Sequence, residues 1–194
     1  MSLSAAHKEH TRLSILASAR RLFKERGYNG VGIDTIMADA GLTRGGFYAH
    51  FKSKQDLFAE AIHEDGLEGA LKQLEEEGIT DPAEKFRRVN EFYLSEWHVD
   101  NPGQGCPLPT LTAAVGQSDD TVRTSFTDMI HESVKGFASL MPGGVKKNDK
   151  KALAVLSTMV GGVLLARGVN DEKLSQEILL NCRKAIESLA KHQD

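Results

Sequence analysis

The chain has 194 residues, 40% of them hydrophobic, and a formal net charge of −3. That is enough apolar material for a packed core, and two cysteines, Cys106 and Cys182, are too few for a disulfide framework or a zinc set. The charge is uneven: residues 1–54 carry nine Lys/Arg against four Asp/Glu, net +5, and the rest fifteen against twenty-three, net −8. Such a basic head on an acidic body suits a polyanion at the head alone, or a merely solvated helix face.

The N-terminus is polar and lacks the apolar run of an export signal. The most apolar window, 152–166, is too short and too Gly-interrupted to span a bilayer. With the sparse cysteines this predicts a cytoplasmic protein without a membrane partner.

Periodicity is helical nearly throughout, and nothing reads as a strand. Ile15, Leu16, Ala19, Leu22 and Phe23 form the stripe of a first helix over about residues 8–26. Gly27 suits its C-terminal cap. Ile33, Ile36, Met37 and Ala40 trace a second helix that Gly41 ends. A third, short helix follows, with Thr43 placed to cap it. Its residues are a poor core set: only Phe47 and Phe51 tuck under, while Thr43, Arg44, Tyr48, His50 and Lys52 are shown to solvent. Helix, glycine turn, helix is the helix-turn-helix arrangement, whose second helix lies in the DNA major groove.

Ser53 caps the next helix, which the apolar pattern Leu57, Phe58, Ala61, Ile62, Leu71 and Leu74 extends to about Glu77. Asp81-Pro82 opens another, with Phe86, Val89, Tyr93 and Trp97 on its inner face. A Gly-rich loop leads to Cys106-Pro107, read as the N-cap and first position of a short helix. A longer helix follows through Phe126, Met129 and Phe137. Two more occupy about 148–167 and 172–191, the first apolar nearly all round.

Gly27-Tyr28, Ile33, Ile36, Ala40-Gly41-Leu42-Thr43, Gly45, Tyr48, His50-Phe51, Ser53-Lys54 and Leu57 resemble the N-terminal signature of the TetR family of bacterial transcriptional repressors. The likeness is dense over about residues 10–60 and architectural beyond. It implies an all-α fold of about nine helices: a three-helix DNA-binding head, residues 1–53, and an effector-binding and dimerisation body, residues 54–194. It also implies a homodimer through the last two helices, a double-stranded DNA partner, and a small-molecule effector of unspecified identity. Two departures stand out. Gly32 stands where the family often has a capping Thr, and Gly45-Gly46 places two poor helix formers inside the recognition helix. Gly105-Cys106-Pro107-Leu108 resembles, more weakly, a segment of subfamilies that include electrophile- and oxidant-responsive repressors.

On this reading Arg44 is the best base-reading candidate, since a guanidinium can pair bidentately with guanine O6 and N7; a phosphate contact is as open to it, and a solvated side chain is the bland alternative. Tyr48, His50, Lys52 and Lys54 are phosphate candidates, which fix register without reading sequence. Thr43 can cap and touch DNA, and the bare backbone of Gly45 and Gly46 permits close approach. Cys106 at a helix N-terminus would favour the thiolate; its bland alternative is a small capping residue. Phe58, Phe92, Tyr93, Trp97, His98, Cys106, Phe126, Met129 and Met159 are the candidate lining of an effector pocket, each alone an ordinary core residue. Cys182 reads as inert core. His7 and His10 have helical ligand spacing but receive no metal role, and no cofactor is expected.

Three function classes remain open at this stage. The leading one is a ligand-responsive dimeric repressor on a pseudo-palindromic operator, released by a small molecule or by modification of Cys106. The others are a DNA-blind binding module and an enzyme with Cys106 as nucleophile, for which His98 is the nearest candidate base in sequence, at a spacing that matches no known arrangement.

Overall fold

A computed structural model describes residues 3–63 and 66–191. Among the described residues there are ten α-helices, two short 3-10 segments and no strand. The all-α expectation holds. Two compact units emerge: Met1–Glu64 with Thr110–Thr127, and Asp65–Pro109 with Asp128–Asp194.

In the first unit, α1 (Leu3–Arg26) buries the whole expected stripe, Ile15, Leu16, Ala19, Leu22 and Phe23. Gly27 ends it at φ +72°, a left-handed position that glycine adopts without strain. α2 (Ile33–Asp39) buries Ile36 and Met37 and stops at Gly41, φ +73°. The segment Arg44–Ala49 then forms a 3-10 helix rather than an α-helix. The two glycines within it contribute little helical preference, and so short a run suits the tighter winding.

Thr43 does not cap that segment with its hydroxyl, and Gly32 has no side chain to cap α2. α3 (Lys54–Ile62) is capped reciprocally: the Ser53 hydroxyl accepts the Asp56 N–H at 3.0 Å, and the Asp56 carboxylate accepts the Lys52 N–H at 3.0 Å. Phe23, Tyr28 and Phe58 pack as one aromatic cluster, with centroids 4.4–5.7 Å apart.

The single helix expected from Lys54 to about Glu77 is two helices. α3 ends at Ile62, His63 leaves the helical region at ψ 81°, and α4 (Gly66–Glu76) begins at a glycine with φ +33°. A glycine in left-handed backbone interrupts a ladder that the apolar spacing alone would continue.

The second unit contains α4, α5 (Pro82–Tyr93), α6 (Glu96–Asp100), a 3-10 turn (Pro102–Gln104), the start of α7 (Leu108–Gly116), the later part of α8 (Asp120–Leu140), α9 (Val145–Gly168) and α10 (Glu172–Lys191). Asp81 and Ser95 cap α5 and α6 through their side-chain oxygens. α9 is the centre of this unit and packs on α10, α5 and α6. Gly162 permits that approach: a Cβ there would lie 2.9 Å from Cys182 Sγ and 3.0 Å from Leu94 Cδ2. Against the sequence expectation, α9 is long and apolar enough, by length and composition, to cross a membrane. Its apolar residues Val155, Leu156, Met159 and Val163 are buried within the unit.

One ion-pair knot steadies the first unit. Arg21 bonds both Asp39, which follows α2's buried face, and Glu25 on its own helix. The Ser18 hydroxyl, then Arg21, hold the Asp39 carboxyl below the usual carboxylate range. A depressed folded pKa stabilises the fold above the unfolded carboxylate value, and that contribution is lost as pH falls through the folded one. Asp39→Asn is therefore expected to flatten the acid limb of the stability curve below about pH 4, and to leave the neutral-to-alkaline profile unchanged, as read by urea midpoints across pH. Because the pair is exposed, the effect is small.

Candidate nucleic-acid interface and effector site

The 3-10 segment places its side chains on two sides. Phe47 is fully buried, and Phe51, just beyond, is buried beside it at a centroid distance of 5.8 Å. Tyr48 is 62% exposed and stands edge-on to Phe47 at 5.2 Å. Thr43, Arg44, Gly45, Gly46 and Lys52 are exposed. A Cβ on Gly45 would meet nothing, and one on Gly46 only Met37 Cε at 3.6 Å. Neither glycine has positive φ, so the fold itself does not require glycine at either position.

Two of the basic candidates are held from within. Arg44 donates Nη1 to Asp34 Oδ2 at 2.8 Å, with both side chains 63% exposed. Lys54 turns inward: its Nζ donates to the Tyr28 carbonyl at 2.6 Å and lies 3.9 Å above the Tyr28 ring. Burial lowers its pKa. Lys54 thus ties α3 to the end of α1 in this structure. His50 is half-buried, and its Nδ1 has no hydrogen-bond partner. Burial, helped by Lys8 and Arg12, lowers its pKa, so at neutral pH it offers a neutral imidazole. Arg12 braces this end by pairing with Glu60 and lying 4.9 Å over the Phe51 ring.

In the second unit the structure gathers three of the nine pocket candidates. His98 is buried between α5 and the loop before α7. Its Nε2 accepts the Cys106 backbone N–H at 3.0 Å, which leaves Nδ1 to donate to the Tyr93 carbonyl at 2.6 Å. The Tyr93 ring meets the His98 ring edge-on at 4.6 Å. The Tyr93 hydroxyl is buried without a hydrogen bond of good geometry. Burial first, then the neighbouring Cys106 thiol, raises its pKa well above the usual phenol range. Arg167, which sequence reasoning missed, completes the group. It donates Nη2 to the His98 carbonyl at 2.6 Å and Nε to the Val99 carbonyl at 3.1 Å. Its only sequence signal was its place in the last turn of an apolar helix.

Gly105 is buried under the His98 ring, with no room for a Cβ. Cys106 itself is half-buried and precedes the helix rather than capping it, since α7 starts at Leu108. Of the remaining pocket candidates, Phe92 joins this group from the surface, its ring stacked on His98 at a centroid distance of 6.2 Å. Phe58 belongs to the aromatic cluster of the first unit. Phe126 also falls in that unit. Met129 and Met159 are buried core residues. Phe92 and Trp97 are 55% and 43% exposed and pair at 5.3 Å on the surface. Burial raises the pKa of Cys182, in keeping with an inert thiol. Two clefts of about 320 and 460 Å³ lie along α6 and α10, and of the sequence candidates only Trp97 lines either. Among the described residues no cluster of His, Cys, Asp or Glu could hold a metal ion.

Residues 15–61, which contain this helix-turn-helix geometry, match the family model described as bacterial regulatory proteins, tetR family. Over 167 residues the chain is 29% identical to the transcriptional regulator LmrA of Bacillus subtilis (strain 168), covering 80% of this chain and 86% of LmrA. Over residues 15–61 the chain thus carries a segment similar to the DNA-binding part of TetR-family regulators. A second relative, the HTH-type transcriptional repressor DhaR of Mycobacterium sp. (strain GP1), is 27% identical over 128 residues, covering 65% of this chain and 63% of DhaR. A TetR regulator from Chloroflexus aurantiacus J-10-FL superposes with a TM-score of 0.69 at 25% identity, covering 97% of this chain and 98% of that one. The chain is thus similar, at its N-terminal segment and in its overall helical fold, to TetR-type DNA-binding transcriptional regulators.

Proposed function

We propose that this protein is a cytoplasmic TetR-family repressor that binds a pseudo-palindromic operator as a homodimer and releases it when a small molecule occupies the body or when Cys106 is modified. Residues 1–53 form its DNA-binding head and residues 54–194 its effector and dimerisation domain. One observation carries the DNA reading: Arg44–Ala49 buries Phe47 while offering Arg44, Tyr48 and a bare Gly45-Gly46 backbone to the outside. Arg44 reads bases. Thr43, Tyr48, His50 and Lys52 contact phosphates, and Lys54 does so if its ammonium leaves Tyr28. Arg44→Ala should then cut affinity for the best-bound duplex by roughly tenfold or more, measured by anisotropy; equal binding by the variant would contradict the assignment.

Exposed Leu153, Leu164 and Leu165 on α9, with Leu174 and Leu180 on α10, support dimerisation through these helices. Leu side chains left in water forgo about 1.5–3 kcal/mol each relative to burial. Leu164→Asp with Leu165→Asp is expected to convert the dimer to monomer by analytical ultracentrifugation and to abolish operator binding at nanomolar protein. A variant that remains dimeric would place the interface elsewhere.

The cluster of Tyr93, His98, Cys106 and Arg167 supports the sensing role. An inducer must bind the DNA-incompetent state more tightly, by about 1–3 kcal/mol of coupling in typical cases. With a thiol-reactive electrophile, wild-type protein should release DNA and Cys106→Ser should not; equal release by both would exclude Cys106 as the sensor.

A further inference from the structure

The Arg44–Asp34 pair poses a problem for a DNA-facing surface. Asp34 is one of four acids among the first 54 residues. Of the others, Glu25 and Asp39 are both engaged by Arg21. Asp34 lies in the first turn of α2 but makes no capping bond there, since the N-cap is Gly32 with no side-chain contact. Its carboxylate instead reaches across the turn to the guanidinium of Arg44, at 2.8 Å, with both groups well exposed. As a contribution to stability, an exposed pair of this kind is small. As a placement it matters, because the carboxylate must come close to the same nucleic acid that Arg44 meets.

We infer that Asp34 is a specificity-determining positioning residue, which holds Arg44 for a base edge and bars it from the phosphates. The inference rests on the proposed role of Arg44 in reading DNA. A lone guanidinium beside a duplex is drawn first to phosphate, the only anion there, and such contacts carry no sequence information. Asp34 changes that choice in two ways. It fixes the orientation of a planar fork whose five N–H groups have set directions, and the bond to Oδ2 uses only one of them. It also supplies a negative charge that repels an anionic phosphate approaching the same guanidinium far more than it repels guanine O6 and N7, which carry only partial charge. Asp34 itself need not touch a base; its carboxylate can also accept from a cytosine amino group if one lies opposite.

The test uses the full-length dimer and a randomised duplex library. Wild type, Asp34→Asn, Asp34→Glu and Arg44→Ala are each taken through selection, and the affinities of the winning duplex and an unrelated duplex are measured from low to moderate salt. Wild type should enrich guanine at positions that become degenerate with Arg44→Ala. Asp34→Asn, nearly isosteric and uncharged, should relax those same positions by about tenfold in discrimination. It should also bind the unrelated duplex several-fold more tightly, and steepen the salt dependence by about 0.9 in log–log slope, as Arg44 gains a phosphate. Asp34→Glu, which keeps the charge, should retain most of the preference.

A merely structural Asp34 would instead lower both affinities together and leave the preference and the slope as in wild type. Preference and slope unchanged in Asp34→Asn, with Arg44→Ala degenerate, would overturn this inference alone. A wild type that enriches no sequence would overturn the DNA-reading role of Arg44, and this inference with it.

Discussion

Phe47→Ala is expected to destabilise the first unit by about 3–5 kcal/mol, the usual cost of truncating a fully buried Phe. Phe47 has no exposed surface, touches Phe51 and Tyr48, and is the one buried side chain of the Arg44–Ala49 segment. Two glycines and no side-chain cap leave that segment little intrinsic preference for its shape, so the ring is its principal anchor. Urea unfolding followed by near-UV signals should show an early transition for the first unit. DNA binding should fall with the folded fraction and not recover in low salt. A variant that keeps wild-type stability but loses DNA binding would make Phe47 a contact residue rather than core.

His98→Ala is expected to cost about 2–5 kcal/mol, and the loss should appear in the second unit. The ring is buried, and its removal leaves a cavity. It also strands the Cys106 N–H and the Tyr93 carbonyl, which the two ring nitrogens now satisfy; an unsatisfied buried group costs about 1–3 kcal/mol. Gly105→Ala should act from the other side, because its Cβ would collide with the same ring. Both variants should speed alkylation of Cys106 by a small thiol reagent at fixed pH, as the loop before α7 loosens. Unchanged stability in both would mean that the ring is not the pin of that loop.

These expectations show which parts of the molecule its sequence could disclose. The stripe Ile15, Ala19, Leu22 and Phe23 was legible because a period of 3.6 states directly which side is buried. Ser53 and Asp81 were legible because a capping oxygen acts on a backbone N–H only three residues away. Thr43 carried the same local signal, yet its hydroxyl makes no such bond, because the following segment winds as a 3-10 helix.

The break between α3 and α4 was hidden for a related reason. Gly66 is tolerable inside a helix, and only its backbone angle, φ +33°, shows that it starts one.

What the sequence could not disclose is tertiary. Phe58 is apolar on an apolar face, but spacing does not say whose rings it meets, and they are Phe23 and Tyr28 rather than an effector. The Asp34–Arg44 bond joins residues ten apart across a turn, and Arg167 reaches the α6 carbonyls from 68 and 69 positions away. Neither link has a local pattern to betray it. The inward turn of Lys54 onto Tyr28 is of the same kind.

Sequence-specific DNA binding by a dimer is tested most directly by titrating the full-length protein into labelled duplex from its own promoter region, with excess unrelated duplex present, at several salt concentrations. The expected result is saturation at two protomers per site, resistance to the unrelated competitor, and affinity that falls steeply as salt rises. Binding that the unrelated duplex strips as readily as the promoter itself, at every salt concentration, would contradict it.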